Sequence, residues 1–439
     1  MAAKGEKNFQ HKYLKYTELT NMLLEERTTP KNRIFWIVAI QVVGLLIVGL
    51  LTILKMVGTH DLNIYYRSSL YFLEGKLPYR DFDLEYPPLA LLPFVLPIII
   101  GLGLAKNYYI YAFLFLLENI LFSTINLLLL LRVVSVRDSQ RQRIKVLVFY
   151  TLFAFIISPF LLWRYDLFPT VLTLVALVAV LSNRPTLAGI SLGLGVAAKL
   201  YPLVLLPVFT LYFFTNKSYR AILNIWLGTL GAVFLSFLPF LLTTKDKLFS
   251  FLSYHEERGL QIESLPAGII SLVHKWGLIE LKTVAGYGSR NIISPVDDIM
   301  LAVLPLLLII LYILMLVSCW YRFREERLKS ELMKVDSLVA YTLLSLLIFI
   351  ITNKVFSPQY IVWIIPFAAL LKPRHAILML AICITTYIMA SYGSFRQLDY
   401  VKILWLNLRN FLILGFSLWI FLDYLPSSIN SVLRRNNAN

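Results

Sequence analysis

Residues 59–89 read THDLNIYYRSSLYFLEGKLPYRDFDLEYPPL, a polar stretch that opens after the first long apolar run of the chain. It holds five carboxylates (Asp61, Glu74, Asp81, Asp83 and Glu85) and seven aromatic rings. A connector between two membrane helices needs neither. Carboxylates accept hydrogen bonds from hydroxyls and rings offer apolar faces, a combination that suits a sugar. Leu62, Tyr65, Tyr66, Ser69, Leu70 and Leu73 recur at helical spacing and Gly75 follows as a stop. The first half therefore reads as an amphipathic surface helix with Asp61 at its start. Pro78 and then Pro87-Pro88 bound an irregular second half.

The 439-residue chain is 59% hydrophobic and 15% charged, with a mean hydropathy of +0.73. Apolar runs of about 20 residues recur from end to end, which predicts an all-α polytopic membrane protein. The first run begins at Ile34, too late and too long for a cleaved signal peptide. A net charge of +16 would suggest nucleic acid in a soluble protein. Here the excess sits in short loops, as the positive-inside rule requires, so the expected partners are membrane lipids and no nucleic acid. Residues 1–33 carry seven Lys/Arg against four Glu and read as a cytoplasmic segment, with Tyr13–Leu24 as a short interfacial helix.

The expected membrane domain covers 34–424, with about twelve spans and a cytoplasmic tail over 425–439. A first outer loop is expected over 58–88 and a second outer segment over 243–298. Five basic residues against one acid in Arg132–Lys145 place that loop inside, so residues 89–131 cross an odd number of times. Residues 89–105, broken by Pro93 and Pro97, are accordingly expected to be re-entrant or to lie along the surface. Cys319 and Cys383, both in apolar runs, read as packing residues.

The unusual polar groups map to the outer side. Asp61 reads equally as a general base or as the cap of its helix. Asp81, Asp83 and Glu85 form a DxDxE run that could hold a divalent cation through oxygen ligands, or simply face solvent. Arg164, Lys199 and Arg258 form a cationic group suited to a phosphate. Lys199, in an apolar stretch beside Tyr201 and Pro202, reads as functional. Lys354 could join that group, but snorkelling to headgroups is the favoured reading for it. Arg164 and Asp166 can pair across their own turn. His60 could orient Asp61, whereas His255 and His274 are too isolated for a zinc site. No phosphate-binding glycine loop is present, so a nucleotide donor is not indicated.

Several short motifs in order resemble the GT-C superfamily of integral membrane glycosyltransferases, and glycosyltransferase family 87 most of all. They are Asp61-Leu-Asn-Ile-Tyr65, then Gly75, Pro78-Tyr79 and Asp81, then Glu85-Tyr86-Pro87-Pro88-Leu89. Gly193, Ala198-Lys199-Leu200-Tyr201-Pro202, Pro207, Arg258-Gly-Leu-Gln-Ile-Glu-Ser264-Leu265 and Ser357-Pro358-Gln359-Tyr360 with Trp363 continue the likeness. Together these motifs span most of residues 30–370.

The resemblance implies a polyprenyl-phosphate sugar donor, often mannose, and an inverting hexosyl transfer on the extracytoplasmic face of the plasma membrane. It implies Asp61 as the base. Lys199, Arg258, Arg164 and Gln359 are then the expected phosphate contacts. Asp81, Asp83, Glu85, Tyr86, Glu263, Ser264 and Tyr65 are the expected contacts to sugar or to a lipid or glycan acceptor. Gln359 stands where some relatives carry His; it can hydrogen-bond a phosphate but cannot become cationic. The rival expectation is a transporter or flippase of a lipid-linked sugar, for which about twelve spans is a common layout.

Overall fold

The computed structural model describes residues 30–55, 60–135, 140–329 and 335–427. The Tyr13–Leu24 helix, the side chain of His60 and the tail beyond residue 427 lie outside the described residues. Within them the chain is helical almost throughout, as its apolar runs dictate, with one two-stranded hairpin.

The helices are α1 (Pro30–Lys55), α2 (His60–Leu73), α3 (Leu91–Ile100), α4 (Tyr108–Ser135), α5 (Gln140–Ile156) and α6 (Ser158–Leu162). Next come α7 (Leu167–Leu181), α8 (Pro185–Ala198), α9 (Leu206–Thr215), α10 (Tyr219–Thr244), α11 (Ser250–Glu257) and α12 (Leu265–Lys275). Strands β1 (Lys282–Gly286) and β2 (Ser289–Ile293) precede α13 (Asp297–Lys329), α14 (Val335–Ile351), α15 (Ile361–Ala369), α16 (Pro373–Ser391) and α17 (Tyr400–Tyr424).

Against the expected count of about twelve spans, six helices among the described residues are long and apolar enough to cross a membrane. Other apolar helices have only 10–17 residues. The 15 residues of α7 rise about 22 Å, short of a hydrocarbon core about 30 Å thick. Helix α3 has ten residues with Pro97 inside it and passes through a turn at Gly101–Gly103 into a 3-10 turn.

Burial follows composition. Helices α14 and α15 are apolar on every side, and nearly all their residues are buried, so they form the centre of the bundle. Helices α1 and α13 expose long apolar rows, such as Phe35 and Leu54 or Leu306 and Ile310, and make its lipid-facing perimeter. A second, smaller core of Leu260, Ile262, Ala267, Ile270, Leu281, Ile292 and Leu304 lies under the hairpin and α12.

Two local devices place the cavity described below. Helix α8 starts on Pro185 and ends at Ala198, where Lys199 turns extended and Tyr201-Pro202 opens a 3-10 turn. Pro202 supplies no amide hydrogen, and its ring crowds the carbonyl four residues back, that of Ala198, which favours ending the helix there. Helix α8 also packs closely on α10, because Gly189, Gly193 and Gly228 let backbones touch. A Cβ on Gly189 would fall 2.2 Å from the Ile225 carbonyl oxygen.

Gly189→Val is expected to destabilise the protein by about 1–3 kcal/mol, because the helices must separate. Gly231→Ala, in a helix where a Cβ meets nothing within 4 Å, serves as the control and should not lower stability. Thermal unfolding in detergent compares the two, and an undiminished melting temperature for Gly189→Val would refute this account of the contact.

Candidate active site

Six segments far apart in sequence meet around a cavity of about 300 Å³. The start of α2 contributes Asp61 and Ile64, and the loop after it contributes Glu85 and Tyr86. The break after α8 supplies Lys199, Leu200 and Tyr201; the end of α11 supplies His255 and Arg258. The hairpin tip adds Tyr287 and Gly288, and residues 353–363 add Lys354, Ser357, Gln359, Tyr360 and Trp363. Helix ends provide nearly all of these groups, so the cavity lies at one end of the bundle.

Asp61 sits in the first turn of α2, where exposed amide hydrogens favour a carboxylate. The helix is anchored by its apolar face. Leu62, Tyr65 and Ser69 are buried, and the Tyr65 ring stacks on Phe94 at 4.3 Å with Tyr165 edge-on at 5.6 Å. Tyr65 therefore lies beneath the site and is not among the residues that line it.

The turn after α6 corrects another expectation. Arg164 and Asp166 do not pair with each other. Arg164 Nη1 forms an ion pair with Asp61 Oδ2. Asp166 Oδ1 accepts from Lys199 Nζ at 2.6 Å and from Trp363 Nε1 at 2.6 Å. Lys199 lies over the rings of Tyr165 and Trp363, at 4.9 and 5.2 Å from their centroids. Trp363 is stacked between Tyr201 at 4.0 Å and Tyr360 at 3.9 Å. One wall of the cavity is thus a layered aromatic surface with an ammonium beside it.

The opposite wall is built from 254–293 and the turn before α15. Ile262 N donates to Arg290 O at 3.0 Å and Ile292 N to Leu260 O at 2.9 Å, so residues 260–262 run beside β2. Gln261 N donates to Lys354 O at 3.0 Å. Its side-chain oxygen accepts from Phe356 N at 2.9 Å, while its amide nitrogen donates to Glu263 at 2.6 Å and to Ser357 Oγ at 3.2 Å. Ser264 is fully buried and caps α12 by accepting from Ala267 N at 3.4 Å. Ser264 therefore stands behind the wall and holds it, and Glu263, partly exposed, braces Gln261; neither is among the residues that line the cavity.

The acidic run also divides. Asp81 pairs with Arg80 at 2.9 Å and accepts from Leu77 N at 2.8 Å, which holds its carboxyl down at about 2. Asp83 is exposed, and neither residue lines the cavity. Only Glu85 faces it. Among the described residues no group of three His, Cys, Asp or Glu side chains is placed to hold a metal ion, so the DxDxE run does not make a cation cradle.

Lys354 is corrected in the other direction. It lines the cavity beside Arg258 and donates to Glu256 O at 2.8 Å. Burial and the neighbouring guanidinium of Arg258 pull its ammonium below the usual lysine range. Gln359 and Tyr86 line the cavity, and His255 joins them, whereas His274 turns away and bonds Ile279 O at 2.8 Å.

Sequence reasoning missed Asp166 as a site organiser and missed the hairpin. The signal for the hairpin was Gly286-Tyr287-Gly288 between Lys-Thr-Val-Ala and Ser-Arg-Asn-Ile-Ile. Both turn residues have positive φ, 53° for Tyr287 and 65° for Gly288, as a tight hairpin turn demands. Tyrosine seldom takes that conformation, which hid the turn. The tip lies over Glu85: a Cβ on Gly288 would sit 3.6 Å from Tyr254 OH and 3.9 Å from Glu85 Oε2.

Burial lifts the Glu85 carboxyl above its ordinary range, against the pull of Tyr254 and Arg258. The folded state then holds this proton more tightly than the unfolded chain. The group's stabilising contribution is full below its unfolded value of about 4.5 and is lost as pH rises through the higher folded value. Glu85→Gln removes that loss. Its melting temperature relative to wild type should rise from pH 4 to pH 8, and a difference that stays constant across the range would contradict the burial account.

Comparison with known proteins gives these features a family. A model described as Glycosyltransferase family 87 matches residues 84–349, more than half of the chain. The matched region contains Glu85, Arg164, Lys199 and Arg258; Asp61 and Gln359 lie outside it. A search of curated proteins found no match. With its apolar helical bundle and a polar cavity at the helix ends, this chain belongs to glycosyltransferase family 87 and is a membrane glycosyltransferase.

Proposed function

We propose that the protein is an inverting hexosyltransferase. It moves a sugar, mannose in the first instance, from a polyprenyl-phosphate donor to a hydroxyl of a lipid or glycan acceptor. The observation that carries this reading is the meeting of Asp61, Lys199, Arg258 and Lys354 in one aromatic-walled cavity. A carboxylate and a set of cations facing a common space are what displacement of a phosphate by a hydroxyl requires.

The donor phosphate lies against Lys199, Arg258 and Lys354, with the Gln359 amide donating to it. Glu85 and Tyr86 hold sugar hydroxyls. Asp61, oriented by Arg164, takes the proton of the acceptor hydroxyl as its oxygen bonds to the anomeric carbon. The bond from that carbon to the phosphate oxygen breaks, and its electron pair leaves on the phosphate, where the cations stabilise it. A single displacement of this kind inverts the anomeric centre.

The same proposal sets the cavity on the extracytoplasmic side of the plasma membrane, with about twelve crossings and both termini in the cytoplasm. The distribution of Lys and Arg in the short loops supports it. Transport of a lipid-linked sugar is the less supported reading, because the charged groups that line the cavity sit at helix ends.

The test is transfer from prenyl-phosphate mannose, radiolabelled in the sugar, to a native lipid extract by protein in nanodiscs. Asp61→Asn should lose about 10²–10⁴-fold of the rate with donor binding retained, the range for removal of a general base. The double variant Asp81→Asn/Asp83→Asn should stay within about twofold of wild type, as surface residues outside a site do. Equal rates for wild type and Asp61→Asn would refute the assignment of the base.

A further inference from the structure

The carboxylate of Asp166 is 1% exposed and does not line the cavity, yet both groups that its Oδ1 holds do. Among the described residues its second oxygen has no hydrogen-bond partner, and the side chain's hydrogen bonds there go to Lys199 and Trp363. A buried carboxylate is costly to keep unless it is paired, and an apolar residue packs more cheaply at such a place. The turn that carries it also carries Arg164, which reaches Asp61 instead. Two charges two residues apart are thus directed at two different cavity residues.

We infer that Asp166 is a positioning residue for the donor phosphate, acting through Lys199. This inference rests on the donor reading proposed above. A lysine ammonium on a four-carbon stem samples many rotamers in water, and Asp166 confines it to one. Lys199 has three N–H donors. Asp166 takes one, and the faces of Tyr165 and Trp363 stabilise the charge without taking up another N–H in a conventional hydrogen bond, which leaves donors for a phosphate oxygen. The bond from Trp363 Nε1 fixes the indole between Tyr201 and Tyr360, so cation and aromatic wall are set by one carboxylate. A phosphate entering the cavity then meets an ammonium already in place, with little reorganisation needed as charge develops on the leaving oxygen.

A double-mutant cycle tests this, read as binding of a polyprenyl monophosphate without sugar to the full-length protein in nanodiscs. Lys199→Met and Asp166→Asn should each weaken binding by about tenfold, and the double variant should bind no more weakly than Lys199→Met alone. A merely structural role for Asp166 predicts losses that multiply, and that result would overturn the inference. If Asp166→Asn fails to fold, Asp166→Glu keeps the charge and displaces it by one methylene. Its weakening should likewise disappear in the Lys199→Met background, and persistence there would overturn the inference. Failure of wild type to bind the prenyl phosphate would overturn the donor reading itself, an outcome distinct from intact wild-type binding with multiplying losses.

Discussion

A charge withdrawn from water persists only where another group replaces the water, and that condition shapes the cavity end of this bundle. The turn at 164–166 meets it by sending its arginine to Asp61 and its aspartate to Lys199 and Trp363. Three residues thereby join the start of α2, the break after α8 and the start of α15. Had Arg164 and Asp166 paired with each other, Asp61 and Lys199 would each have lost this counter-charge. The crossing keeps both at the wall of one space with their charges matched.

The opposite wall depends on amide and backbone bonding. Gln261 ties the strand-like segment before α12 to the turn before α15 through Phe356 and Ser357. Behind it, Arg409 of α17 is fully buried, lies 3.8 Å over the Phe356 ring and donates to Glu263 O at 2.6 Å. An arginine inside a membrane helix is tolerated here because a carbonyl, an amide and a ring face take the place of water. Residues 261–264 thus act as a brace for this wall.

Hydropathy made the helical membrane architecture legible, because an apolar run long enough to cross hydrocarbon has few other folds available. It was less informative about the shorter helices. Pro97, Pro202 and Pro366 fall within or between apolar runs, and whether such a run crosses, turns back or packs as a half-length helix depends on its neighbours. The hairpin over 282–293 escaped notice because its turn puts a tyrosine where glycine or asparagine is usual.

The sequence by itself determined the chemical inventory: an acid at the start of a surface helix, a lysine at a proline break and an arginine in a polar segment, all distributed among helix ends. Local sequence singled out Lys199, because a charge at a proline break in apolar surroundings is rare enough to stand out, whereas Asp61 read equally as a helix cap until the family resemblance favoured the base. Only the tertiary structure decided which of them meet. It brought Lys354 into the cavity, left Asp81, Asp83 and Glu263 out of its lining, and placed Tyr65 and Ser264 behind the wall. It also separated Arg164 from Asp166, neighbours in the chain with partners 103 and 197 residues away at Asp61 and Trp363. Pairing of that kind is set by how the helices pack, which no short stretch of sequence encodes.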